Sequence, residues 1–78
     1  MPRIPPIKAD KLIKIFLRNG FILKRIKGSH HILVNNEGEK RVIIPYHQGK
    51  TLGKGLTVSI IKDAGLTPEE FLKLLRKK

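Results

Sequence analysis

Turn-forming residues cut this chain into short segments, and the apolar pattern between the cuts narrows the fold to a single small α+β unit. Asn19-Gly20, Gly28-Ser29, Asn36-Glu37-Gly38, Pro45 and Gly65 each interrupt an apolar stretch. Glycine reaches backbone conformations closed to other residues, and proline removes a hydrogen-bond donor. Ahead of the first cut, Ala9, Leu12, Ile13, Phe16 and Leu17 fall at helical spacing, with Lys8, Lys11, Lys14 and Arg18 facing outward. That spacing predicts a helix from Ala9 that stops at Asn19-Gly20.

Phe21 to Ile26, His30 to Asn35 and Lys40 to Tyr46 read as strands. The first of them carries apolar residues on both parities, Phe21 and Leu23 against Ile22 and Ile26, so alternation does not reveal its buried face. Tyr46 to Lys54 reads as a mobile basic loop with His47 and Lys50. Gly55 to Ala64 is predicted as a helix with Leu56, Ile60, Ile61 and Ala64 on its apolar face. Thr67-Pro68-Glu69-Glu70 is a capping box with proline at the first helical position, and it opens a last helix within residues 67–78. Residues 1–7, with Pro2, Pro5 and Pro6, read as an extended lead-in. The expected order over residues 1–78 is α-β-β-β-α(-α): one domain holding a three-stranded antiparallel sheet.

Asn36-Glu37-Gly38 fits a three-residue hairpin loop with glycine in the left-handed position. Pairing Asn35 with Glu39 sets Ile32 opposite Val42, Val34 opposite Lys40 and His30 opposite Ile44 on one face. His31, Leu33, Arg41 and Ile43 then share the other. On this register His30 points toward the helices, and His31 stands beside Arg41 on the open face. Ile22, Ile26, Leu33 and Ile43 are expected on that open face too, a density of exposed aliphatics that calls for a covering partner, either another protein or a second copy of the chain.

Charge narrows the partner. Against 17 Lys and Arg stand only 6 Asp and Glu, a formal net charge of +11. Thermophilic chains that raise lysine normally raise glutamate with it, which this one does not. The surface therefore points to polyanions, with nucleic acid ahead of an acidic protein or an anionic membrane. The apolar runs are far short of the roughly 20 residues that span a bilayer, and the Met-Pro-Arg-Ile-Pro-Pro start lacks a signal peptide's apolar segment. A cytoplasmic protein without membrane association is expected. There is no cysteine, so disulfides and thiolate metal sites are excluded.

Gly28-Ser29-His30-His31 carries the most suggestive chemistry. Imidazole is the side chain best matched to proton transfer near neutral pH. Adjacent histidines on a strand point to opposite faces, so one of the pair is structural and His31, by parity, is the exposed one. Ser29 lacks a convincing Asp to complete a nucleophilic triad, and turn chemistry explains its place after Gly28. His30, His31 and His47 do not have the spacing of a metal site, and Gly49, Gly53 and Gly55 lack the Lys-Ser/Thr ending of a phosphate-binding loop. Neither metal nor cofactor is expected. A phosphodiester held by Lys24, Lys27, Arg41 and Lys50 would instead meet a lone histidine, and RNA supplies its own nucleophile in the 2′-hydroxyl.

From about Pro6 to Leu66 the chain resembles the HicA family of toxins, the mRNA-cleaving partners of HicB antitoxins in toxin-antitoxin pairs. The resemblance is carried by Asn19-Gly20-Phe21, by Arg25-Ile26-Lys27-Gly28-Ser29-His30-His31, by Val42-Ile43-Ile44-Pro45-Tyr46-His47, by Leu52-Gly53-Lys54-Gly55-Leu56 and by Ala64-Gly65-Leu66. It implies a fold like a double-stranded-RNA-binding domain, with the helices on one face of the sheet. It also implies that the second histidine of the pair, His31, is catalytic, with Gly28 and Ser29 positioning it and His47 as a phosphate contact or second proton carrier. Lys8 departs from the pattern, since a capping serine or similar residue would be expected there.

The reading that follows is a metal-independent endoribonuclease acting on mRNA or single-stranded RNA, with a HicB-like antitoxin as partner and self-association as a further option. The alternatives are a non-catalytic RNA-binding module of the same fold, or an interaction unit whose positive surface docks an acidic antitoxin.

Overall fold

In the computed structural model, which describes residues 4–76, the chain is built around a three-stranded antiparallel sheet with helices packed on one side. The elements are β1 (Ile7–Lys8), α1 (Ala9–Arg18), β2 (Phe21–Lys27), β3 (His30–Asn35), β4 (Arg41–Pro45), β5 (Thr51–Leu52), α2 (Lys54–Asp63) and α3 (Pro68–Arg76). The main sheet has the order β2-β3-β4, and β1 pairs with β5 in a separate two-stranded ribbon. The α-β-β-β-α-α order of the principal elements is the expected one. Among the described residues no helix is long and apolar enough to cross a membrane.

Helix α1 buries Ala9, Leu12, Ile13, Ile15 and Phe16, the face its periodicity marks. Its start has no side-chain cap at Lys8, as the departure at that position implied. At the other end the Asn19 side chain donates from Nδ2 to the Ile15 carbonyl at 2.7 Å, satisfying one of the acceptors that a helix end leaves open. In α2 the buried face is Thr57, Ile60, Ile61 and the adjoining Ala64, while Leu56 is 43% exposed. The expected Leu56 gives way to Thr57, which is buried because its hydroxyl donates to the Gly53 carbonyl at 2.9 Å and so loses no hydrogen bond on leaving water.

The capping box at the start of α3 forms as its sequence implies. The Thr67 backbone N–H donates to the Glu70 carboxylate at 2.9 Å, and the Glu70 N–H donates to the Thr67 hydroxyl at 3.1 Å. This helix also completes the core, because Phe71 is fully buried among residues that include Leu12, Phe16, Leu33, Val42, Ile44 and Ile61. Burial of a side chain of that size is worth roughly 1.5–3 kcal/mol. Residues 77–78 of the anticipated helix lie outside the described residues, as do residues 1–3 of the lead-in. Ile4 and Ile7 are buried in the core, and Ile7 pairs with Leu52. The pairing also ties down part of the expected loop between Tyr46 and Lys54.

The hairpin register differs from the expected one by a residue. Asn35 and Lys40 close the loop, with the Asn35 N–H donating to the Lys40 carbonyl at 3.0 Å, so four residues lie between them. Asn35 itself causes the change: its side-chain oxygen accepts from the N–H groups of Glu39 at 2.9 Å and Lys40 at 3.1 Å. His31 therefore pairs with Ile44, Ile32 with Ile43, Leu33 with Val42 and Val34 with Arg41. Because side chains alternate, a one-residue slip exchanges the faces.

The helix-facing side of the sheet carries Leu33, Val42 and Ile44, all with 0% exposure, and His31 belongs to that set. The open side carries Ile22 with Val34 and Arg41, then Arg25 with Ile32 and Ile43, then Lys27 with His30 and Pro45. Leu33, expected on the open side, is in the core. Ile32 is buried to 8% exposure yet stands outside the main core cluster, as its place on the opposite side requires. An irregularity between Leu23 and Arg25 leaves Lys24 as an extra residue in β2. This bulge restores order to the mixed parity of the strand, since it lets Leu23 and Ile26 share the helix-facing side with Leu33 and His31.

Candidate active site

His31 occupies the last helix-facing rung of the sheet, between Ile26 on β2 and Ile44 on β4. Ile44 is fully buried, but Ile26, on the edge strand, is 54% exposed. The histidine thus lies where the helices cease to cover the sheet, and it is half-buried. The expectation that His31 stands on the open face is overturned by the register. His30 is the residue on that face, and it is exposed. What makes His31 accessible is its position at the end of the covered face.

The turn before it is set by Gly28, whose φ of +60° is left-handed and costs a side-chain-bearing residue about 1–2 kcal/mol. A Cβ there would meet nothing within 4 Å, so the requirement is conformational and not steric. Ser29 follows, and its carbonyl accepts from the Tyr46 N–H at 2.7 Å. This bond carries the pairing of β3 with β4 one rung past the strands and brings Tyr46 to the same side as His31. The two rings are 5.1 Å apart between centroids and tilted by 47°. The Nδ1 atom of His31 is buried and has no hydrogen-bond partner among the described residues. Nε2 is then the nitrogen left to meet a ligand. Sequence reasoning passed over Tyr46, although its place at the end of the strand that flanks the histidine was a signal for it.

The other expected site residues divide into near and far. His47 follows Tyr46 directly and is exposed. It begins a tight turn closed by the Lys50 N–H donating to the His47 carbonyl at 2.9 Å, which brings Lys50, also exposed, to the same turn. Lys27 pairs with His30 at the same end of the sheet, on the opposite side from His31, and Lys24 sits at the exposed bulge of β2. Arg41 is not beside His31 as expected. It pairs with Val34, three residues along β3 from His31 and on the opposite face, about 10 Å away along the strand.

A half-buried histidine, reached from the edge of a sheet on a strongly basic chain, is suited to proton transfer on a bound phosphodiester. The family model described as HicA toxin of bacterial toxin-antitoxin matches residues 9–66. The chain belongs to the HicA toxin family. The match runs from the first residue of α1 to the residue after the Gly65 turn, so it takes in the whole sheet and the His31 site while α3 lies beyond it. Membership makes this HicA-family chain the toxin side of a toxin-antitoxin pair. No curated protein matches the chain.

Proposed function

We propose that this HicA-family chain is a metal-independent endoribonuclease that cleaves mRNA, with His31 as the proton-transfer group. The observation that carries the reading is the state of the His31 ring: one nitrogen is sealed inside the protein and the other is left for a ligand at the accessible end of the sheet. In the proposed step Nε2 of neutral His31 takes the proton from an RNA 2′-hydroxyl, and that oxygen bonds to the adjacent phosphorus. The bond from phosphorus to the 5′-oxygen breaks, and the leaving oxygen takes a proton from an acid. His47 is the candidate for that acid, or for a phosphate contact. The products are a 2′,3′-cyclic phosphate and a 5′-hydroxyl, and no metal or cofactor enters the balance.

Lys24, Lys27 and Lys50 would hold the backbone near His31, and Arg41 would serve as a more distant phosphate contact. A net charge of +11 supports RNA as the substrate through release of counterions from phosphate. Gly28 and Ser29 would set the position of His31 through the turn. A cytoplasmic location fits a substrate of this kind.

The antitoxin partner is read from the open face. Ile22 is 55% and Ile43 40% exposed, and they share that face with Arg25, Lys27 and Arg41. An acidic, HicB-like protein would cover the aliphatic centre and neutralise the rim. A second copy would bring cation against cation. Ile26 beside His31 offers such a partner an apolar contact at the edge of the active site.

The test is cleavage of a defined RNA in EDTA by the purified protein and by His31→Ala, with the product ends identified. Cleavage by the parent alone, to cyclic-phosphate ends, is expected. RNA bound but left intact by both proteins would favour the binding module, and equal cleavage by both would move the catalytic site elsewhere.

A further inference from the structure

A histidine that transfers protons through Nε2 is usually held by an acceptor on Nδ1, most often a carboxylate or a backbone carbonyl. His31 has neither: its Nδ1 is buried with no hydrogen-bond partner among the described residues. The group beside the ring is Tyr46, at 5.1 Å between centroids and a tilt of 47°, within the range at which aromatic rings attract one another. Tyr46 is in turn anchored twice and independently of His31. Its N–H donates to the Ser29 carbonyl at 2.7 Å, and its side chain packs against the hydrophobic core.

We propose that Tyr46 is the positioning residue for His31: its ring face replaces the missing Nδ1 acceptor, limits rotation of the imidazole and keeps water from Nδ1, so that Nε2 alone is presented to RNA. The ring and not the phenol hydroxyl is assigned this role, because the two rings lie 5.1 Å apart between centroids and the hydroxyl makes no hydrogen bond to Nδ1. The same strand end positions both ends of the arrangement, since Tyr46 fastens the turn that precedes His31 and restrains its side chain. The inference rests on the ribonuclease reading for its catalytic consequence, whereas the restraint on the ring is a structural property that can be measured without RNA.

Two measurements on Tyr46→Phe and Tyr46→Leu test it. Leucine keeps an apolar side chain against the core but has no ring face, and thermal melts establish that both variants are folded. In the first measurement, NMR of the His31 ring reports its order by 13C relaxation and its tautomer balance by 15N shifts. Phe is expected to match the parent, and Leu to show a more mobile ring with a changed balance. In the second, kinetics of RNA cleavage are expected to give a kcat lowered about tenfold or more in Leu with KM within about twofold, and near-parent values in Phe, as loss of orientation predicts. An unchanged His31 ring in the folded Leu variant overturns the proposal, as does a Phe variant as impaired as Leu, which would assign the role to the hydroxyl. If His31→Ala still cleaves RNA, the catalytic reading fails by itself, and the NMR result continues to decide whether Tyr46 holds the ring.

Discussion

The backbone N–H of Tyr46 donates to the carbonyl of Ser29 at 2.7 Å, and this bond joins the two segments of the chain that form the candidate site: the turn before His31 and the strand end that leads to His47. Neither segment places the histidine alone. The turn sets where β3 begins, and the pairing sets which residues surround its second position.

Replacing Gly28 by Ala tests the turn. With φ at +60° and open space around a new Cβ, the cost is backbone strain alone, about 1–2 kcal/mol, and Asn, which tolerates that conformation better, should cost less. Urea unfolding of both variants measures the difference. Equal stability of the Ala variant and the parent would show that the turn relaxes freely.

Helix α3 should be indispensable to stability although it lies beyond the family match. Phe71→Ala removes a fully buried ring, and a loss of about 3–5 kcal/mol is expected, a large part of the total for a domain of this size. A thermal melt within a few degrees of the parent would make α3 an appendage.

Affinity for single-stranded RNA should fall steeply as salt is raised, with each phosphate contact contributing roughly 0.7 to the logarithmic slope. Lys50→Ala is expected to lower the slope by about that amount while leaving the fold intact, since the side chain is exposed. A slope unchanged in the variant would remove Lys50 from the RNA contacts.

On the open face, Ile43→Asp should leave RNA cleavage within about twofold of the parent, because single exposed substitutions seldom disturb a fold and Ile43 lies on the other side of the sheet from His31. Binding to the proposed acidic antitoxin should drop sharply, both from lost apolar contact and from like-charge repulsion. Titration calorimetry with the antitoxin checks this, and unaltered affinity would place the interface elsewhere.

Much of this molecule was legible in its sequence because the deciding interactions are local. The heptad-like spacing of Leu12, Ile13 and Phe16, the stop at Asn19-Gly20 and the Thr67–Glu70 capping box all operate within one or two helical turns. The Gly28-Ser29-His30-His31 motif likewise marked where to look for chemistry. Which side of the sheet each histidine took was decided differently. The Asn35 side chain accepts from Glu39 and Lys40, lengthens the loop by a residue and so moves His31 to the helix-facing side and Arg41 away from it. In β2 the bulge at Lys24 hid the buried face from any test of alternation.

The sequence by itself determined the order of elements and the family, and it marked the residues proposed to carry the chemistry, since helix periodicity, turn residues and motif spacing are properties of neighbours along the chain. Only the tertiary structure decided that His31 is half-buried at the end of the covered face with Tyr46 against its ring. Register is settled by hydrogen bonds between strands, and a shift of a single residue reverses every side chain of one strand relative to its partner while leaving the pattern of strands and turns unchanged.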